Sequence, residues 1–166
     1  MTEALELSRL VLAEHIGRAD IEITVEASPG ERAAVAQRLM IPSITSLRCK
    51  WTLRPGEAGM IQGHGALHAK LTQACVVSLD PFDVTVRENF EVHFVLEGRE
   101  SEDDDPDAPD QLTYDGVAVD IGEATVEQLA LTLDPYPRKP NAVLSVPGEE
   151  ESGGVFAALA KLRRLD

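Results

Sequence analysis

Ile61-Gln62-Gly63-His64-Gly65-Ala66-Leu67-His68-Ala69-Lys70-Leu71 sets an apolar or small residue at every odd position, with mostly polar residues between. A side-chain period of two belongs to a half-buried β-strand. The same period runs through Leu47, Cys49, Trp51 and Leu53 before this stretch. It returns after it at Phe82, Val84, Val86, Phe90, Val92, Phe94 and Leu96. In that last run the inward position 88 is a glutamate, so a bend is expected at Glu88-Asn89. Arg54-Pro55-Gly56-Glu57 joins the first two runs by a turn. Successive strands with turn signals between them predict antiparallel pairing. The expected fold is α+β, with a mainly antiparallel, twisted or barrel-like sheet of about six strands and two or three helices.

The flanks supply the other elements. Ile21, Ile23 and Val25 alternate with Glu22, Thr24 and Glu26, another half-buried strand, and Leu5 to Val11 gives a weaker one. Ser28-Pro29-Gly30-Glu31 reads as a helix start, with Ser28 as cap and Glu31 closing a capping box. That helix runs through Leu39 and stops before Pro42. Gly63 and Gly65 suggest a β-bulge or a tight approach of backbone. Tyr114-Asp115-Gly116-Val117 contains a hairpin turn dipeptide. Asp120 caps a further helix with Glu123 as its box partner, and Val126, Leu129, Ala130 and Leu133 form its apolar stripe. At 166 residues the chain is expected to form a single domain over 1–166, with a mobile acidic loop near 97–110. A Pro/Gly/Glu-rich linker and a short amphipathic helix bearing Val155, Phe156, Leu159 and Leu162 occupy 135–166.

Charge narrows the function. The chain carries −14, of which 97–110 contributes −7 and Glu149-Glu150-Glu151 a further −3, leaving −4 for the rest. Such loops repel phosphate backbones at long range and favour a basic protein partner. Arg48, Lys50 and Arg54 share one strand face, but Trp51 alternates to the opposite face. A base-stacking platform needs aromatics beside the cations, so direct RNA binding is the alternative reading and is disfavoured. No basic leader and no apolar run of membrane-spanning length is found, and two cysteines do not make a disulfide framework. A cytoplasmic protein with no membrane contact is expected.

Catalytic signatures are weak. His64 and His68 stand roughly 13 Å apart on a strand, too far to share one ion. Gly63-His64-Gly65 lacks the third glycine and the helix of a dinucleotide site. Cys75 ends a strand with no visible partner and reads as a buried structural cysteine. A metal-dependent hydrolase is the weakest reading, and the chain is expected not to be an enzyme.

The phrases Gln73-Ala74-Cys75-Val76-Val77-Ser78-Leu79-Asp80-Pro81-Phe82, Asp120-Ile121-Gly122-Glu123 and Asp134-Pro135-Tyr136-Pro137-Arg138 occur in that order. Together they resemble the YceD-like family, the large ribosomal RNA subunit accumulation proteins, over roughly residues 8 to 165. Many members carry Cys-x-x-Cys-Leu-Glu-Pro where this chain has Cys75, Ser78, Leu79, Asp80 and Pro81. The second cysteine is replaced, and no cysteine pair follows Pro137. The chain is thus similar to the proteobacterial type that lacks the cysteine pairs, and neither a metal nor a cofactor is expected. The resemblance implies a role in large-subunit ribosomal RNA accumulation and ribosome biogenesis; the acidic loops and the weak catalytic signatures add the expectation of a non-enzymatic factor that contacts a basic ribosomal protein or assembly factor. Candidate partner-binding residues are Glu102, Asp103, Asp104 and Asp105 in the acidic loop, with Tyr136 and Arg138 in the Pro-x-Pro segment. Cys75 and Asp80 are the expected fold-defining positions.

Overall fold

The computed structural model describes residues 5–17, 19–100 and 108–142. The chain order is β1 (Leu10–Leu12), α1 (Ala13–Ile16), β2 (Ile21–Glu26), α2 (Pro29–Arg38) and β3 (Ser43–Pro55). A 3-10 turn at Glu57–Gly59 leads into β4 (Ile61–Ala74) and β5 (Pro81–Leu96). Then come β6 (Asp110–Tyr114), β7 (Ala118–Asp120) and α3 (Ile121–Thr132). One sheet has the order β2-β3-β4-β5-β6, and β1 pairs with β7 in a second.

The α+β class is as expected, but the sheet differs from the expectation in three ways. It is mixed, because β6 runs parallel to β5 while β2 to β5 are antiparallel. It is open rather than a barrel, with β2 and β6 as its edges. Among the described residues it has five strands, the remaining two forming the separate ribbon. The connection explains the parallel pair. A strand needs a dozen or so residues to return in the same direction, and residues 97–109 supply that length between β5 and β6.

The Asp115-Gly116 hairpin is also corrected. A turn does form there: Gly116 has φ 86°, and Asp115 Oδ1 accepts from Val117 N at 2.8 Å. However, β7 leaves the sheet and pairs with β1, in the register Leu10↔Asp120. The ribbon thereby ties the N-terminal segment to the start of α3.

β4 and β5 stay in unbroken register from Ile61↔Phe94 to Ala74↔Pro81, so Glu88 is accommodated opposite Leu67 without a break in pairing. The bulge lies in β3 between Ile44 and Ser46, not at the glycines. Gly63 and Gly65 serve a close approach of rings instead of backbone. A Cβ on Gly65 would stand 2.1 Å from Phe90 Cζ, and one on Gly63 would stand 3.0 Å from both Phe94 and Trp51. The room they leave lets Trp51 and Phe90 meet edge to face, with centroids 5.1 Å apart.

The core lies on the odd-numbered face of β3 and β4. Leu47, Cys49, Trp51, Leu53, Leu67 and Leu71 are buried there with Val92 and Phe94 of β5. Ile121, Val126 and Leu129 of α3 and Val35 of α2 join the same cluster. Each such side chain contributes about 1.5–3 kcal/mol when fully buried. Trp51 Nε1 donates to Thr125 Oγ1 at 2.9 Å, which keys α3 to the sheet.

The caps separate two similar sequence signals. At α2 both halves of the Ser28/Glu31 capping box are present. At α3 Asp120 Oδ1 accepts from Gly122 N, Glu123 N and Arg9 N, as a cap should. Glu123 does not close the box. Its carboxylate takes both guanidinium nitrogens of Arg38, at 2.6 and 2.9 Å, and Arg38 also reaches Glu6 at 3.1 Å. A two-point charged pair outweighs one bond to a backbone N–H.

Candidate functional site

The link between β4 and β5, Cys75 to Asp80, folds back on itself. Cys75 N donates to Asp80 O at 2.9 Å, and Leu79 N donates to Cys75 O at 2.8 Å. Leu79 takes the left-handed conformation needed to close the loop, with φ 63°. The segment after α3 lies against this turn, since Val76 N donates to Pro137 O at 2.9 Å. Tertiary folding therefore joins the two phrases that stand some sixty positions apart in the sequence.

Cys75 is buried, as expected, but its environment is polar. Its thiol is lowered to about 7, first by the backbone N–H of Ser78 and then by that of Lys139. These donors outweigh the loss of solvent. Cys49 is the opposite case: burial pushes its thiol up to about 12. Asp80 closes the turn through its carbonyl, while its exposed carboxylate lies 3.6 Å from Lys139 Nζ. Tyr136 is 71% exposed, its N–H held by Asp134 Oδ1 at 2.8 Å, and Arg138 is exposed beside it. Val76 and Leu79 expose apolar surface on the same pair of segments. Glu102, Asp103, Asp104 and Asp105 lie outside the described residues, as does the expected C-terminal helix.

The sheet face away from the core forms a second feature. An open groove of about 520 Å³ is lined by Arg32 of α2, Arg48 and Lys50 of β3, His68 and Lys70 of β4, and Arg87 of β5. Pairing register brings them together: Arg48 is opposite His68, which is opposite Arg87. Adjacent strands lie about 4.8 Å apart, so those two arginines leave the sheet roughly 10 Å from one another. Lys50 pairs with Glu22 at 3.0 Å. Among the described residues, Arg32, Arg48, Lys70 and Arg87 have no carboxylate within ion-pair distance.

The groove reverses the balance of the whole chain. Five of its 15 Lys and Arg line it, against one of its 29 acids, Glu26. Sequence reading reached Arg48 and Lys50 but also grouped Arg54 with them, which instead pairs with Asp20 at 2.9 Å. It missed Arg32, Lys70 and Arg87. The alternation of β4 already puts Lys70 on the outward face, but only the register of three strands aligns it with the others. No group of three or more metal-ligating side chains occurs among the described residues. His64 faces Glu91 at 3.7 Å, and the other oxygen of that carboxylate takes His93 at 3.2 Å.

A protein family described as "Large ribosomal RNA subunit accumulation protein YceD" matches residues 63–163, more than half of the chain. The chain belongs to the YceD family. Searches of curated proteins and of solved structures return no match. The YceD match begins at the first glycine of β4 and includes the Cys75 turn, β5, α3 and the segment docked on the turn. Lys70 and Arg87 of the groove fall within it, whereas Arg32, Arg48 and Lys50 precede it. No helix among the described residues is long and apolar enough to cross a membrane.

Proposed function

We propose that this YceD-family chain supports accumulation of the large ribosomal RNA subunit as a non-catalytic binding factor. The family match over residues 63–163 carries the reading. The groove over β3, β4 and β5 supports binding: it is open, and Arg32, Arg48, Lys50, Lys70 and Arg87 line it together with His68. A second reading places a basic ribosomal protein or assembly factor as partner. It rests on the −7 carried by 97–110, where Glu102 to Asp105 would steer a cationic surface, with Tyr136 and Arg138 as further contacts.

The test is depletion of the chain in its host, followed by measurement of large- against small-subunit ribosomal RNA. The ratio should fall and recover when the wild-type chain is returned. An unchanged ratio refutes the role. Cys75→Ser should also restore accumulation. If that variant folds normally yet fails, thiol chemistry is required and the non-catalytic reading is wrong.

A further inference from the structure

A strongly acidic chain that collects unpaired cations on one open face does so against its own electrostatics. Like charges facing one another across strands are destabilising. Arg48 and Arg87 flank His68 in register, and Lys70 and Arg32 add to the same field. Of the five Lys and Arg lining the groove, Lys50 pairs with Glu22, while Arg32, Arg48, Lys70 and Arg87 lack a carboxylate partner among the described residues, so the face is left positive for something outside it. We infer that the groove over β3, β4 and β5 docks the phosphate backbone of folded RNA. The inference rests on the ribosomal-RNA reading above only for the choice of RNA among polyanions.

Three observations define the ligand. The cations come from four elements and extend across three strands, a footprint for a chain of anions rather than one small ion. Three are arginines, whose planar fork matches phosphate oxygens in pairs. The aromatic rings Trp51, Phe90 and Phe94 all pack on the opposite face, so among the described residues this face offers no platform for unstacked bases. Recognition without stacking is recognition of backbone and shape, the mode used on duplex RNA. The overall charge does not forbid contact. Glu97, where the acidic segment begins, lies ten residues along β5 from Arg87, roughly 30 Å away. That is several Debye lengths at physiological salt, where each is about 8 Å.

The experiment uses the purified full chain and a labelled RNA hairpin, with a single strand of equal length for comparison, titrated by anisotropy at increasing KCl. Four to five phosphate contacts on the hairpin predict a slope of log K against log salt of about −3.5 to −4.5. The hairpin should bind at least as tightly as the single strand. Arg48→Gln, Lys70→Gln and Arg87→Gln together should flatten the slope by about 2 to 3 and weaken low-salt binding at least tenfold. Arg99→Gln, outside the groove, should change neither. All three groove residues are exposed, so the melting temperature should hold. If the triple variant unfolds, Arg87→Gln alone, with a slope change of about 1, decides.

Absence of RNA binding by the wild type at low salt overturns the inference. Equal loss in Arg99→Gln overturns it as well. Tighter binding of a poly-glutamate peptide than of RNA at the same ionic strength assigns the groove to an acidic protein segment instead. Returning the triple variant to depleted cells separates the two readings. Full rescue of ribosomal RNA by a variant unable to bind RNA sinks this inference and leaves the family role intact. Groove-dependent RNA binding with no ribosomal RNA defect on depletion does the reverse.

Discussion

Gly65→Ala should destabilise the fold by about 2–3 kcal/mol, through one ring. A Cβ there meets Phe90 at 2.1 Å from Cζ and 2.6 Å from Cε1 and Cε2. Ordinary carbon contact is about 3.5–4 Å, so the ring must withdraw by about 1.5 Å. Withdrawal costs the edge-to-face contact with Trp51, worth about 0.5–1.5 kcal/mol. Overpacking adds about 1–3 kcal/mol. Replacing glycine returns only about 0.4–1 kcal/mol by restricting the unfolded chain. Backbone strain does not enter, because Gly65 has no positive φ. Gly63→Ala is the graded control, since its nearest contacts are 3.0 to 3.2 Å and it should cost less. Urea unfolding followed by the single tryptophan reads the effect at its source, because Trp51 is the ring that Phe90 touches. Phe90→Ala removes the obstacle, so Gly65→Ala added to it should cost almost nothing. A cost below about 0.5 kcal/mol for Gly65→Ala alone, or simple additivity in the double variant, would refute the steric argument.

Three further outcomes follow from the buried and charged contacts. Thr125→Val should cost about 1–3 kcal/mol by leaving Trp51 Nε1 without its acceptor, while Thr125→Ser should cost under about 1 kcal/mol; the reverse order in urea unfolding would contradict this. The Arg9 guanidinium, followed by the Ser28 N–H, lowers Glu31 to about 2 from 4.5, so its contribution is complete above about pH 4.5 and lost as pH falls through 2. Arg9→Gln should therefore cost about 1 kcal/mol at pH 7, after discounting for a partly exposed pair, and the gap to wild type should narrow by pH 3. Iodoacetamide at pH 8 should label Cys75 before Cys49, because the first thiol ionises near 7 and the second near 12; mass spectrometry showing Cys49 modified first would overturn that assignment.

Local signals in this chain were legible where their partners are close in sequence. The α2 capping box joins Ser28 to a residue three positions on, and β2 occupies the whole of its alternating run. The inward side of Trp51 followed from parity alone. Parity also put Gly63 and Gly65 inward, but glycine within a strand suggested a bulge or a backbone approach, whereas their room is taken by rings from β3 and β5. Glu123 carried the signature of a box partner, yet a guanidinium 85 positions away won its carboxylate.

Three properties could be read along the chain: alternating strands make an α+β fold, the charge is concentrated in two acidic stretches, and the ordered phrases resemble YceD. The first two reside in periodicity and composition and the third in a resemblance of short motifs, none of which needs knowledge of what lies opposite. The rest depends on which segments meet in space. The long connection at 97–109 let β6 return parallel, and β7 left an apparent hairpin to pair with β1. Docking of Pro137 on the Cys75 turn surrounded a lone thiol with N–H donors. The register of β3, β4 and β5, with α2 beside them, drew Arg32, Arg48, Lys50, Lys70 and Arg87 into one groove. Arg48, Lys50, Lys70 and Arg87 are exposed and Arg32 is half-buried; each has an ordinary local reason to exist, and the shared field arises only when folding sets them side by side.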